Sequence, residues 1–217
     1  MDSRVDRLNA MFMEMIRLSN HVHQFAGQGE ESIDWLRTQI SHVRLAIDNI
    51  AWLAYIDTKK LLGFWEKKVN VARQIGACLG AKNWMIRDKH LHIHPEFKNV
   101  EIEADPDLTR VIWENLLDNS IKYTNPHGNF WITVKVVGKS VEISFRDDGA
   151  EIPADKLANI FDRFFEYSDE FQNQGLGTGL SVVKEGVLWL GGQVSCSSRP
   201  GEGTIIHVRL PINCNAE

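Results

Sequence analysis

Four short runs of this sequence combine polar, acidic and glycine residues at spacings that suit phosphate and purine chemistry. The first is Asn115-Leu116-Leu117-Asp118-Asn119-Ser120-Ile121-Lys122-Tyr123. On a helix, Asn115, Asn119 and Lys122 stand at i, i+4 and i+7 and share a face. Two carboxamides and an ammonium there can hold a hydrated magnesium ion and nearby phosphates, because magnesium favours oxygen ligands and keeps several waters. The second is Asp147-Asp148-Gly149-Ala150-Glu151-Ile152-Pro153, directly after a strand-like stretch. A carboxylate at a strand end, beside a glycine turn, can accept a hydrogen bond from an adenine amino group. The third is Gly175-Leu176-Gly177-Thr178-Gly179-Leu180, running into a helical stretch. Alternating glycines let the backbone approach a phosphate, and a helix N-terminus supplies free N–H groups and a positive dipole end. No Gly-Lys-Ser/Thr follows, so this is not a Walker loop, and no βαβ unit with a later acidic residue surrounds it. The fourth is Gly201-Glu202-Gly203-Thr204, a turn between two strand-like stretches. Taken singly, the four also read as a polar helix surface, an acidic turn, a plain glycine loop and a hairpin.

Taken together and in this order, they resemble the ATP-binding fold shared by sensor histidine kinases, type II topoisomerases, mismatch-repair ATPases and the ninety-kilodalton heat-shock chaperones. The details are similar to the histidine-kinase branch. NLLDNSIKYT resembles its N box, DDGAEIP its G1 box, IFDRFFEY its F box, GLGTGLSVVKEGV its G2 box and GEGTIIHVRLP its closing segment. The resemblance covers roughly Asp105 to Pro211. It implies ATP and magnesium as cofactors. Asn119 would bind the magnesium ion, with Asn115 beside it near the phosphates. Lys122 would face the phosphates and Tyr123 would pack near the adenine. Asp147 would take the adenine amino group and Gly149 would let the base approach. Phe161, Phe164 and the segment to Gln174 would form a mobile lid. Gly175, Gly177 and Gly179 would hinge that lid and line the phosphates, with Leu180 completing the set. Thr204 would sit near the adenine. One position departs from the pattern: Glu151 stands where the G1 box has its second glycine. An inward Glu151 would repel phosphate; the expectation is that it points outward.

The elements that must position these residues can be read from periodicity and breakers. Pro106 opens a helix to about Tyr123, at the first-turn position where proline is tolerated. Asn125-Pro126-His127-Gly128 is a turn. Strands are predicted over Phe130–Val137 and Val141–Arg146, joined at Gly138-Lys139. Short helical pieces follow Pro153, then a helix over Thr178–Leu190 and closing strands over Gln193–Ser197 and Thr204–Leu210. Upstream, the pattern predicts a helix over Phe64–Leu79 and short strands at Trp84–Ile86 and Val100–Glu103. Helices and antiparallel strands in mixed order predict an α+β fold, a two-layer sandwich with helices on one face of the sheet.

The first 60 residues read as two helices. Val5, Leu8, Phe12, Met15, Val22 and Ala26 keep a 3-4 spacing with Ser19 as the one polar break, and Ile33, Leu36, Ile40, Val43, Ile47, Ile50 and Ala54 continue it. The glycines of Gly27-Gln28-Gly29 can end the first helix and Ser32 can cap the second. Such a seam predicts an antiparallel hairpin over residues 1–62, paired with a second copy as a dimeric four-helix bundle. Residues 63–217 would form the ATP-binding domain. The hairpin resembles the dimerisation and histidine-phosphotransfer domain of the same family. That domain carries a phosphoacceptor box, His followed by an acidic residue, and the first helix here lacks it. His21 and His23 are the acceptor candidates, but neither has a following carboxylate to orient the imidazole and take its proton. His42 lacks one too. His90, His92 and His94 alternate along an extended stretch and read as a solvated strand edge rather than a metal cluster.

The chain has 217 residues, a net charge of −5 and 43% hydrophobic residues. This acidic balance argues against a nucleic-acid partner. Cys78, Cys196 and Cys214 form no CxxC pair and suggest neither a disulfide framework nor a zinc site;. No apolar run suits a membrane span, and a cytoplasmic setting is expected. The resemblance implies the ATP-binding core of a two-component sensor histidine kinase, signalling to a response-regulator receiver domain or a partner kinase. Two alternatives stay open: an ATP-binding pseudokinase or adaptor, and a histidine-phosphotransfer protein with a decayed ATP site. A serine kinase of the anti-sigma type would lack such a hairpin.

Overall fold

Asn70 separates a strand from a helix near the start of the described chain. The computed structural model describes residues 67–162, 165 and 179–213. The hairpin expected over residues 1–62, with His21, His23 and His42, lies outside them, as do Phe164, Gly175 and Gly177. Strand β1 spans Lys67–Asn70. The Asn70 side chain accepts a hydrogen bond from Arg73 N at 2.9 Å and caps α1, Val71–Ala81;. The pattern-based helix over Phe64–Leu79 is therefore corrected: Lys67–Asn70 is a strand, and the cap moves the helix start to Val71. Helix α2 spans Asn83–Asp88, where the sequence predicts a strand at Trp84–Ile86. Three apolar residues in a row do not separate a period of 2 from one of 3.6. In the helix Ile86 is buried while Trp84 is 69% exposed.

β2 spans His92–Phe97 and β3 spans Glu101–Ala104. Helix α3 runs Pro106–Tyr123, and its start is over-determined. Asp105 Oδ1 accepts from Asp107 N at 2.9 Å and from Leu108 N at 3.1 Å, and Pro106 brings no donor needing a partner;. β4, Asn129–Val137, and β5, Ser140–Asp147, form a hairpin whose turn contains Gly138 at φ 60°. The remaining elements are α4 (Ala154–Leu157), α5 (Gly179–Trp189), β6 (Gln193–Arg199) and β7 (Gly203–Pro211).

A five-stranded sheet has the order β2-β4-β5-β7-β6, and β1 pairs antiparallel with β3 beside it. The sheet is mixed rather than wholly antiparallel, because β2 runs parallel to β4. The chain reaches β4 from β2 through β3 and α3, a crossover long enough for parallel pairing. Alternate residues face the helices. Phe130, Ile132 and Val134 of β4, Val141, Ile143 and Phe145 of β5, and Ile206, Val208 and Leu210 of β7 join one core. Leu108, Ile112 and Leu116 of α3, Val183 and Val187 of α5, and Val71 and Ile75 of α1 complete it. Each large apolar side chain buried this way contributes about 1.5–3 kcal/mol. Trp113 is fully buried, and its indole N–H donates to Gln74 Oε1 at 2.8 Å. Gln74 Nε2 in turn donates to Pro106 O at 2.7 Å, tying α1 to the start of α3.

The other face of the sheet is polar. His94 stacks on Trp131 with centroids 5.2 Å apart, and the Arg146 guanidinium lies 4.9 Å from the Trp131 ring centroid. His92 and His94 are exposed on the edge strand, as expected, while His90 sits in the preceding turn at φ 53°. Among the described residues no three His, Cys, Asp or Glu side chains gather to hold a metal. Nor is any helix among them long and apolar enough to cross a membrane. The cap on α3 gives the first prediction. Asp105→Ala should cost about 1–2 kcal/mol, read as a lower urea midpoint with an unchanged slope.

Candidate functional site

The polar stripe of α3 crosses the site in three different environments. Asn115 is buried, 4% exposed, and its Nδ2 donates to Val111 O at 2.9 Å. Its Oδ1 lies against the first residue of α5: a Cβ on Gly179 would stand 2.8 Å from that oxygen. Asn115 thus meets the helix that leaves the glycine loop. One turn on, Asn119 is half-buried and its amide makes no hydrogen bond to the other described side chains. Lys122 is also half-buried, with its ammonium 4.8 Å from the centroid of the Tyr123 ring.

The end of β5 meets the end of α3 through backbone. Ala150 N donates to Tyr123 O at 3.4 Å. The position a Gly149 Cβ would take lies only 2.0 Å from the same oxygen. The resemblance assigns this glycine to the approach of a base, but the protein's own carbonyl already excludes any side chain there. A second close approach lies on the other side of the turn. Gly203 has φ 78°, and a Cβ on it would stand 1.9 Å from Asp147 O. Three segments distant in sequence are packed backbone to backbone. Glu151, by contrast, is exposed.

Asp147 is 5% exposed. Burial is the main cause that pushes its carboxyl up to about 6, and the neighbouring charge of Asp148 adds to it. Backbone N–H groups of Gly149 and Thr204 pull the other way; the Gly149 bond is 3.1 Å. Asp148 faces elsewhere: its Oδ1 accepts from Asn129 N at 2.8 Å and its Oδ2 from Asn129 Nδ2 at 2.9 Å. The acidic pair therefore divides into one partly desolvated carboxylate and one used as a brace. Cys196 on β6 feels Asp147 as well. Its thiol is pushed up to about 12, by burial first and then by that charge, so it stays protonated and unreactive at neutral pH;.

Thr204, the register partner of Asp147, is buried. Its hydroxyl donates to Ala150 O at 3.3 Å and lies 3.1 Å from Ser198 Oγ. Ser198 was not legible as a site residue. Its Oγ accepts from Ile152 N at 2.9 Å and lies 3.1 Å from Gly203 O. One hydroxyl so ties the G1-like turn to the closing turn. The only signal for it in sequence is a serine near a Gly-x-Gly-Thr run. Leu180 is half-buried and packs on the main core, and Phe161 is half-buried beyond α4. The structure brings Asn115, Gly179 and Leu180 together at one end of the stripe and Tyr123, Asp147, Gly149 and Thr204 at the other.

Two outcomes are expected from this geometry. Asp147 binds its proton more tightly folded, with a value of about 6, than unfolded, near 3.8. Its contribution to stability is therefore complete at low pH and is lost as pH rises through about 6;. Urea unfolding between pH 4.5 and 7 should show this falling component in the wild type, and Asp147→Asn should remove it. Gly149→Ala should destabilise by about 1–3 kcal/mol through the clash with Tyr123 O, while Glu151→Ala should stay within about 0.5 kcal/mol, both by thermal unfolding.

Comparison with known proteins agrees with the fold. The family described as histidine kinase-, DNA gyrase B- and HSP90-like ATPase matches residues 104–213. Sensor histidine kinase AtsR of Burkholderia thailandensis is 36% identical over 152 residues, covering 66% of this chain and 25% of that protein. Adaptive-response sensory kinase SasA of a Synechocystis species is 38% identical over 112 residues, 50% of this chain and 29% of that one. The chain thus spans about a quarter of the length of the curated relatives it matches. The fold is similar to the catalytic domain of histidine kinase ThkA, with a TM-score of 0.63 and 23% identity, over 70% of this chain and 98% of that one. The chain belongs to the histidine kinase-, DNA gyrase B- and HSP90-like ATPase family.

Proposed function

We propose that this chain is the ATP-binding catalytic core of a two-component sensor histidine kinase. The observation that carries the reading is the convergence of the α3 stripe, the buried Asp147 and Thr204 on one side of the sandwich, within the residues that match the ATPase family. Asp147 would accept the adenine amino group, and Thr204 would sit near the adenine, its hydroxyl holding the turn at Ala150. Asn119 suits magnesium: its amide oxygen is uncommitted among the described residues, and a neutral oxygen is a fitting ligand for a hard, hydrated cation;. Bound magnesium would neutralise phosphate charge. Lys122 would add its positive charge at the same end, and Gly175, Gly177 and Gly179 would line the phosphates. Catalysis would rest on positioning and charge stabilisation.

In this reading residues 1–62 form the dimerisation hairpin and residues 63–217 the ATP-binding domain, in a cytoplasmic protein whose partner is a response-regulator receiver domain or another kinase. The seam of the first 60 residues supports the dimer. The missing acceptor box favours a second reading, in which the chain binds ATP and docks partners without phosphorylating itself.

One experiment separates the two. The chain is incubated with γ-labelled ATP and magnesium, alone and with a kinase carrying an acceptor histidine. Acid-labile label on this chain, lost in His21→Ala or His23→Ala, supports autophosphorylation. ATP binding without label supports the adaptor. No binding, restored by Glu151→Gly, identifies Glu151 as the cause, and no binding in either form sinks the ATP reading. Because the amino group bonds to the ionised carboxylate, Mg-ATP affinity should also fall as pH drops below about 6, approaching about tenfold per unit.

A further inference from the structure

The last carbonyls of a helix have no partners inside it, and a helix end left bare is costly when water is excluded. At the end of α3 every one is satisfied. Ser120 O accepts from Thr124 N at 3.0 Å and from Thr124 Oγ1 at 2.5 Å. Ile121 O and Lys122 O accept from the Lys89 ammonium at 2.9 and 2.8 Å. Tyr123 O takes Ala150 N, and Thr124 O, just past the helix, accepts from Lys89 again at 3.0 Å. An ammonium has three protons, and here each has its own carbonyl. A positive charge in this place also meets the negative end of the helix dipole.

Lys89 comes from the turn between α2 and β2, and the backbone of that turn is bound in the reverse direction. His127 N donates to Lys89 O at 2.9 Å, and the His90 and His127 rings stack with centroids 4.9 Å apart. The lysine is half-buried, and burial lowers its pKa. The three carbonyls thus take over much of the solvation that water would give the ammonium.

Two of the residues whose carbonyls lie at this end, Lys122 and Tyr123, are among those that the resemblance turns to the nucleotide. We propose that Lys89 is a positioning residue for the nucleotide site, holding the last turn of α3 so that Lys122, Tyr123 and the Tyr123–Ala150 contact keep their binding geometry. This rests on the ATP reading. Without Lys89, three carbonyls in a half-buried place lose their donor at once. The turn must then loosen toward water, because the Thr124 bonds reach only Ser120 O and the 3.4 Å bond from Ala150 is long;.

The test uses the full chain. Lys89→Met keeps most of the stem and removes the donors, Lys89→Arg keeps charge and donors, and Lys98→Met removes an exposed lysine outside the site. Mg-ATP dissociation constants are measured by titration calorimetry at a temperature where circular dichroism shows each variant folded. The expected result is a loss of about tenfold or more in Lys89→Met, as for other residues that orient a ligand-binding group, with most of it regained in Lys89→Arg and no change in Lys98→Met. A merely structural lysine would lower the melting temperature and leave the dissociation constant of the folded protein unchanged; that result overturns the proposal. Should Lys89→Met not fold, Lys89→Gln is measured in the same way, and an unchanged constant there overturns it too. If the wild type binds no Mg-ATP, the ATP reading falls and the inference with it; if wild type and Lys89→Met bind equally, only the inference falls.

Discussion

The carbonyl oxygen of Tyr123 is where the two halves of the site meet. It belongs to the last residue of α3, so the helix offers it no donor;. The turn after β5 supplies one, Ala150 N, and comes so close that only a glycine fits at position 149. Everything else in the site is placed relative to this contact. The stripe of Asn115, Asn119 and Lys122 is carried by the helix on one side. Asp147 is carried by the strand on the other, two residues before the glycine. A shift of the helix along its axis would break this contact. The buried face of α3, with Leu108, Ile112, Leu116 and Trp113 in the core, resists such a shift.

The second constraint is electrostatic, and it opposes the first. Packing the turn tightly places Asp147 in a pocket with little water, and a carboxylate there is harder to ionise;. Two backbone N–H groups offset part of that cost, with no cation among the described residues adding to them. A lysine or arginine beside Asp147 would hold it ionised, but would also occupy the acceptor that a purine amino group needs. Among the described residues Asp147 forms no ion pair, so its carboxylate stays costly to ionise. Of the two cations at this end of α3, Lys122 lies over the Tyr123 ring and Lys89 is held by backbone carbonyls.

What could be read in the sequence was local. Pro106 marks the start of α3 to the residue, because first-turn chemistry is local;. The alternation of Ile132, Val134 and Val136, and of Val141, Ile143 and Phe145, marked both hairpin strands, although Val136 lies 43% exposed past the end of the core. The misses were non-local or too short to carry a period. β1 has four residues, Lys-Lys-Val-Asn, and is a strand because β3 lies beside it, not because of its own pattern. Trp84–Ile86 is apolar throughout and takes its helical state from packing of Ile86 near Leu91 and Ile121. Ser198 bonds Ile152 across 46 positions, and Lys89 reaches carbonyls 32 to 35 positions away. Neither residue type, nor its neighbours, announces such a partner. The motifs named the residues that would touch a ligand; the residues that hold those motifs in place were invisible until the fold brought them together.

This division explains why Glu151 can stand where the resemblance expects glycine. A glycine is indispensable where another chain fills the space of its side chain. At Gly149 that space belongs to Tyr123 O, and at Gly203 to Asp147 O. Position 151 is exposed, and so is Ala150 before it. Its neighbour Ile152 is fixed through backbone, by Ser198, so the turn keeps its path whatever side chain position 151 carries. The cost of a glutamate here is therefore one of charge rather than shape. At the protein surface that charge is solvated and screened, and it reaches the phosphates weakly unless a closing loop excludes water from the space between them.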